Sequence, residues 1–337
     1  MINRFIKKHS KNLYIFFLFL SLILFFFSTD KVYAKSFNIK NIEVSKPFEI
    51  NFDKNKVIDE GFIKAFSELI SLITVSSDHK IIKKIKLNQI RGMIESFSIK
   101  EEKFIDEIYY VNLGVSFNKK KILNFLEKKN IFPSIPIKKN FLFIPIIIEE
   151  NKENLLVFSN NKFYDEWNND SESFYLIEYI LPTEDLEDLN LIKKQYDLIE
   201  QYDFKEITSK YYLDDSIVAL IFINQKTIRI LSRITVNDKV VLINQSFSNI
   251  DINNTDQLST IIKSLKIMYE DYWKNFNQIN TSIKLPIYIK VNGRDNSNVS
   301  RLEKTLNEIN LIYDYFISKF DKDFLYYQIV YNGTPVS

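Results

Sequence analysis

The chain has 337 residues, with 45 Lys and Arg against 43 Asp and Glu, a formal net charge of +2. That length exceeds one ordinary core and predicts two or three domains of about 100–150 residues, while the near-neutral balance argues against a nucleic-acid binder, which concentrates positive surface. Zero cysteines exclude disulfides, thiolate nucleophiles and cysteine zinc sites, and only two histidines leave little for histidine-rich metal centres or a Ser-His-Asp triad.

The N-terminus opens with Arg4, Lys7, Lys8 and Lys11, followed by the charge-free apolar run Leu13–Phe27 and then Val32-Tyr33-Ala34. A basic head, a greasy middle and a small residue at the cut are the layout of a secretory leader. The run falls short of the ~20 residues that a spanning helix needs. The expectation is a signal peptide over 1–34, cut after Ala34. The alternative is an uncut anchor from Asn12 to Thr29, with Lys11 and Lys31 snorkelling at its ends. The leader holds five of the basic residues and one acidic residue, which leaves 40 basic and 42 acidic beyond it, net −2.

Past the leader, Lys35–Phe52 alternates weakly and predicts one or two opening strands. Ile58, Phe62, Ala65, Phe66, Leu69 and Ile73 step by three and four, so they form one face of a helix capped by Asp53 or Asn55 and ending near Ser76-Ser77-Asp78. Lys80–Ile94 reads as a second, basic helix. Phe97–Ile99 reads as a short strand and Glu101-Glu102-Lys103 as a polar turn. Tyr109–Phe117 alternates cleanly, with Tyr109, Val111, Leu113, Val115 and Phe117 on one face. Asn118 then caps a helix with Ile122, Leu123, Phe125 and Leu126. These elements make a small α+β domain, 35–132.

Pro133 and Pro136 mark a linker into a second domain, 133–280. Phe141–Ile148 is apolar on both faces and predicts a central strand, yet Pro145 inside it calls for an edge or a bulge. Leu155–Phe158 and Tyr175–Ile180 read as strands, and a helix starts near Phe163. Glu184-Asp185-Leu186-Glu187-Asp188 leads into a helix through Ile199. Ile217–Ile223, Ile228–Val236 and Val240–Phe247 form a three-stranded meander over 216–248, with Asn237-Asp238 suited to a type I′ turn. Thr255 caps a long helix with Leu258, Ile261, Ile262, Leu265, Met268, Tyr272 and Phe276. A third module, 281–337, follows. It has a strand at Ile283–Val291, a helix with a Ser300/Glu303 capping box and a stripe running through Leu306, Ile309, Tyr313, Phe316 and Phe320, and a strand at Phe324–Tyr331. A strand–helix–strand unit wants one more covering helix, so this module reads as incomplete. The fold class expected is α+β: two to three small modules, with mixed or antiparallel sheets covered by helices on one side.

Several motifs resemble a bacterial envelope family known as domain of unknown function 2066. They are Leu69-Ile70-Ser71-Leu72-Ile73, Val115-Ser116-Phe117-Asn118, the Pro-flanked strand Phe141–Ile148, and above all Leu181-Pro182-Thr183-Glu184-Asp185-Leu186-Glu187-Asp188, similar to that family's Leu-Pro…Asp-Leu-x-Asp. The likeness spans about Phe37 to Ser248, with the tail as a further candidate. The early helix departs from it in lacking the alanines and closing glycine of the pattern. The resemblance implies export and an envelope location, and it supplies no catalytic residue.

The carboxylates of Glu184, Asp185, Glu187 and Asp188 are the obvious cluster for a hard cation or for acid–base work. The simpler reading makes Asp185 a helix cap, with Glu187 and Asp188 in the first turn against the helix dipole. No calcium-loop glycine accompanies them. Arg229 and Arg233 project from one face of their strand, about 13 Å apart. They suit an anion or an acidic partner, or else cross-strand ion pairs. His79 reads as an exposed helix-end residue, and Trp167 and Trp273 as core. No Gly-rich phosphate loop, Gly-x-Ser-x-Gly elbow or His-Glu-x-x-His is present. No cofactor, metal or catalytic residue is expected. The role expected is a non-enzymatic binding or accessory factor in the periplasm, with an envelope protein or cell-wall component as partner, no nucleic acid, and membrane contact only through an uncut leader. The alternatives are an exported carboxylate-dependent hydrolase and a structural spacer between envelope layers.

Overall fold

In the computed structural model, residues 37–152, 154–169 and 174–333 are described. The leader and its cleavage position Ala34 lie outside them. The chain opens with β1 (Asn38–Pro47), which pairs antiparallel with β3 (Ile108–Phe117). Between them runs α1 (Lys54–Ile73), capped by Asp53, whose carboxylate accepts from the Asn55 N–H. The buried stripe of α1 (Val57, Phe62, Ala65, Phe66, Leu69, Ile70, Ile73) packs on Val111, Leu113 and Val115 of β3. The approach is close: a methyl at Gly61 would stand 2.3 Å from Leu113 Cδ1.

The basic stretch after α1 is not one helix. A 3₁₀ turn (Ser76–Asp78) leads into α2 (His79–Ile82), and α3 (Leu87–Met93) follows a break at extended Lys86. Lys80, Lys83, Lys84 and Lys86 stand three and four apart, and such like-charge pairs disfavour a continuous helix. The expected turn at 101–103 lies inside β2 (Ile94–Ile105). Its charges are tolerated because β2 is an exposed edge, and the chain reverses at Asp106-Glu107, both with positive φ. The antiparallel sheet has the order β1-β3-β2. Next comes α4 (Lys119–Glu127), capped by Asn118, which accepts from the Lys121 N–H.

The second sheet is mixed. β4 (Lys139–Glu149) pairs parallel with β6 (Ile177–Ile180) and β7 (Ser216–Asn224), and antiparallel with β5 (Asn154–Leu156). β8 (Thr227–Val236) and β9 (Lys239–Ser248) continue it as antiparallel hairpins, giving the order β5-β4-β7-β8-β9. The β8–β9 turn at Asn237-Asp238 has positive φ at both residues, as type I′ requires.

Helices cover both faces of this sheet. This corrects the expectation of a one-sided cover. On one face lie α5 (Lys162–Glu166) and α8 (Thr255–Phe276), over Phe141, Phe143, Ile217, Ile230 and Trp167. On the other lie α6 (Leu186–Lys194), α7 (Lys205–Thr208) and 3₁₀ turns, over Leu142, Ile144, Val218 and Leu220. The sequence reading missed the short 205–211 segment. α8 is capped by Asn254 and not by Thr255.

Pro145 sits in the middle of β4 at no cost to the ladder. On the side of β4 away from β7, β6 reaches only to Leu142 and β5 begins only at Ile147. Asn161 fills this gap. Its amide donates to the carbonyls of Pro145, Leu156 and Val157, and its oxygen caps α5 by accepting from Phe163 and Tyr164. The N and O of one strand residue point the same way, so the missing N–H of Pro145 faces the gap and not β7.

The third module is strand–helix–strand–strand. It comprises β10 (Lys284–Asn292), α9 (Asn296–Glu308), β11 (Ile312–Phe320) and β12 (Phe324–Asn332), in the antiparallel order β10-β12-β11. Two expectations are corrected here. Asp295, not Ser300, caps α9, and Tyr313, Phe316 and Phe320 belong to β11. β11 and β12 form a hairpin that the sequence reading did not anticipate. Among the described residues, no helix is long and apolar enough to cross a membrane.

Candidate functional site

The carboxylates of the acidic run hold the fold locally. Asp185 accepts from the Glu187 N–H at 2.7 Å and starts α6. Asp188 is buried and takes Lys210 Nζ at 2.6 Å, with Asp185 and Glu187 near the same ammonium at 3.9 and 3.8 Å. The hydrogen bond to Asp188 raises the Lys210 pKa above the ordinary lysine value. The run thus ties α6 to the 3₁₀ turn at 209–211.

Arg229 and Arg233 share a face of β8, as the two-residue period requires. Both reach Glu200: Arg229 through an ion pair at 2.5 Å, Arg233 through the backbone carbonyl at 3.1 Å. The Arg229 guanidinium also lies 3.9 Å over the Phe222 ring. The pair therefore clamps the segment after α6 onto the sheet.

Sequence reading missed a polar stripe on α8. Lys266, Glu270 and Lys274 recur every four residues and all are buried. Glu270 Oε1 accepts from the N–H groups of Leu176 and Ile177, at 2.9 and 2.8 Å, where β6 starts. Lys274 donates to the Ser71 carbonyl at 2.6 Å and stands 3.9 Å from Glu270. Burial pushes the Glu270 pKa up and the Lys274 pKa down. Asp271 takes both the N–H and the hydroxyl of Ser76, and Trp273 Nε1 donates to Ile137 O. Lys266 stands over the rings of Trp167, Tyr175 and Tyr179. One helix thus stitches the second sheet to the end of α1 and to the linker.

His79 is not the exposed residue expected. It is half-buried at the start of α2, and its pKa is lowered by burial and by Lys274. Trp167 and Trp273 fill the core, as expected.

A different surface stands open. In the third sheet, α9 covers the face that holds Ile289, Tyr315, Tyr327 and Ile329. Tyr327 donates to Glu303 Oε1 and Tyr315 to the Glu303 carbonyl, which fixes that face. Register then puts Tyr288, Lys290, Phe316, Phe324 and Tyr326 on the opposite face. There Tyr288 is 68% and Phe316 46% exposed. Lys290 Nζ stands 3.8 Å from the Phe324 ring centre, and Lys319 5.3 Å from that of Tyr326. Among the described residues, this face is occupied at one end, where Lys284 meets Glu127 and Lys120 meets Asp314. Flat rings beside ammonium groups suit a ligand that offers both apolar and anionic surface.

Among the described residues, no group of three His, Cys, Asp or Glu side chains could hold a metal ion. No family model matches the chain, and no curated protein matches it.

Proposed function

We propose that the protein is exported by its leader to the periplasm and works there as a non-enzymatic binding or accessory factor. Its partner is an envelope protein or cell-wall component. The observation that carries this reading is the aromatic, lysine-bordered face of the third sheet, which no element among the described residues covers beyond its Lys284 end. The motif resemblance to the envelope family belongs to the same reading. Asp185 and Asp188, on which a hydrolase would rest, are committed to a helix cap and to Lys210.

The test is chemical crosslinking in intact cells, with fractionation of the same cells. The chain should fractionate with the envelope and yield a discrete adduct that Tyr288→Ser with Phe316→Ser removes. A cytosolic chain, or an adduct indifferent to those substitutions, would overturn the proposal.

A further inference from the structure

The free strand edges of the three sheets differ in one respect. An exposed edge offers unpaired backbone groups, and proteins blunt such edges with bulges, prolines, charges or short length. β1 carries a register shift, two lysines and Pro47. β2 carries two register shifts and the run Lys100-Glu101-Glu102-Lys103. β5 and β6 are three and four residues long. β10 holds Pro286, Lys284 and Lys290, while β11 has two register shifts and Lys319. β9 has one charge, Lys239 at its first residue, and none of the other devices. Its ten residues pair with β8 in unbroken register, and nothing from Val240 to Ser248 is charged or proline. Val240, Val241 and Leu242 are 50%, 37% and 53% exposed. Among the described residues, no backbone group outside β8 hydrogen-bonds to it.

We propose that β9 pairs antiparallel with β9 of a second copy of this chain, about a twofold axis through Leu242. Register follows apolar pattern; this register sets Val241, Leu242 and Ile243 against apolar partners and keeps Lys239 away from an apolar one. Leu242 meets its own counterpart, Val241 meets Ile243 on both sides of the axis, and Val240 meets Asn244. Lys239 falls opposite Gln245, so no like charges face each other across the pair, whereas opposed like charges would penalise it. The joined sheet is ten strands wide, within the range of open twisted sheets. A self-complementary edge of this kind makes a closed, isologous dimer.

The test uses protein purified from cells. Light scattering should give the mass of two chains, and Leu242→Lys should give the mass of one that still unfolds cooperatively, at a midpoint independent of protein concentration, because Leu242 is a surface residue in the single copy. The chain has no cysteine, so Leu242→Cys reports register without background. A residue opposite itself has Cα atoms about 4.5–5.5 Å apart, within disulfide reach. Oxidation should crosslink Leu242→Cys and leave Ser248→Cys, at the far end of the strand, uncrosslinked. A wild-type chain that runs as a monomer would overturn the proposal, as would a dimer that survives Leu242→Lys or Ser248→Cys crosslinking as well as Leu242→Cys.

Discussion

The first and third modules share one plan and spend it differently. Each is strand–helix–strand–strand, antiparallel, with the third strand in the middle of the sheet. In the first, α1 runs 20 residues and its sheet sends nearly all its apolar side chains toward it. The open face holds Glu43, Ser45, Asn112, Gly114, Ser116 and Ser98, with Tyr110 as its one aromatic. In the third, α9 has 13 residues and the buried cluster is only Leu306, Ile312 and Ile329, with Tyr327 buried beside it. Tyr288 and Phe316, both exposed, lie on the open face. One topology thus serves once as a stable support and once as a platform that keeps apolar surface in water, a cost that recognition can repay.

The sharpest way to break this contrast is to truncate each core. Leu113→Ala, at the centre of the first module, should cost about 2–5 kcal/mol and shift the unfolding midpoint of the whole body. Leu306→Ala should cost about 2 kcal/mol and raise hydrogen exchange only within 284–332. Equal, global effects in denaturant titration and exchange would erase the difference. A smaller change probes the close approach in the first module. Gly61→Val would drive methyls into Leu113 and Val44, and should cost about 1–3 kcal/mol in the same titration.

The subtlest probe is pH, acting where α4 meets the third module. Lys119 donates to the carbonyls of Ile309 and Ile312, at 2.9 and 2.6 Å, and burial lowers its pKa to about 8 from 10.5. Between those values the unfolded chain holds more protons, so this group makes stability rise with pH and withdraws that contribution as pH falls through about 8. Lys119→Gln should flatten that part of the pH–stability curve; an unchanged slope would remove Lys119 from the coupling.

The sequence made some of this legible and hid the rest for physical reasons. Alternation exposed β3 because one face is buried and the other polar. Asp185 and Asn118 announced their helices because short polar side chains cap helix starts. β11 was hidden because its two register shifts break the two-residue period, and Leu306, Ile309, Tyr313, Phe316 and Phe320 then fall on helical spacing. Pro145 could not be placed without Asn161, which arrives from sixteen residues on to fill the gap between β5 and β6. Lys266, Glu270 and Lys274 look like a solvated stripe, and only the docking of α8 against β6 and the end of α1 buries them. The open aromatic face was illegible for a related reason: alternation tells which residues share a face, and not whether anything covers it.

The most direct test places a photo-activated crosslinking side chain at Tyr288 on the third sheet, and the same probe at Tyr110 on the matching face of the first. The account predicts that, in intact cells, Tyr288 captures a discrete envelope partner and Tyr110 does not. Equal capture from both positions, or none from Tyr288, would contradict it.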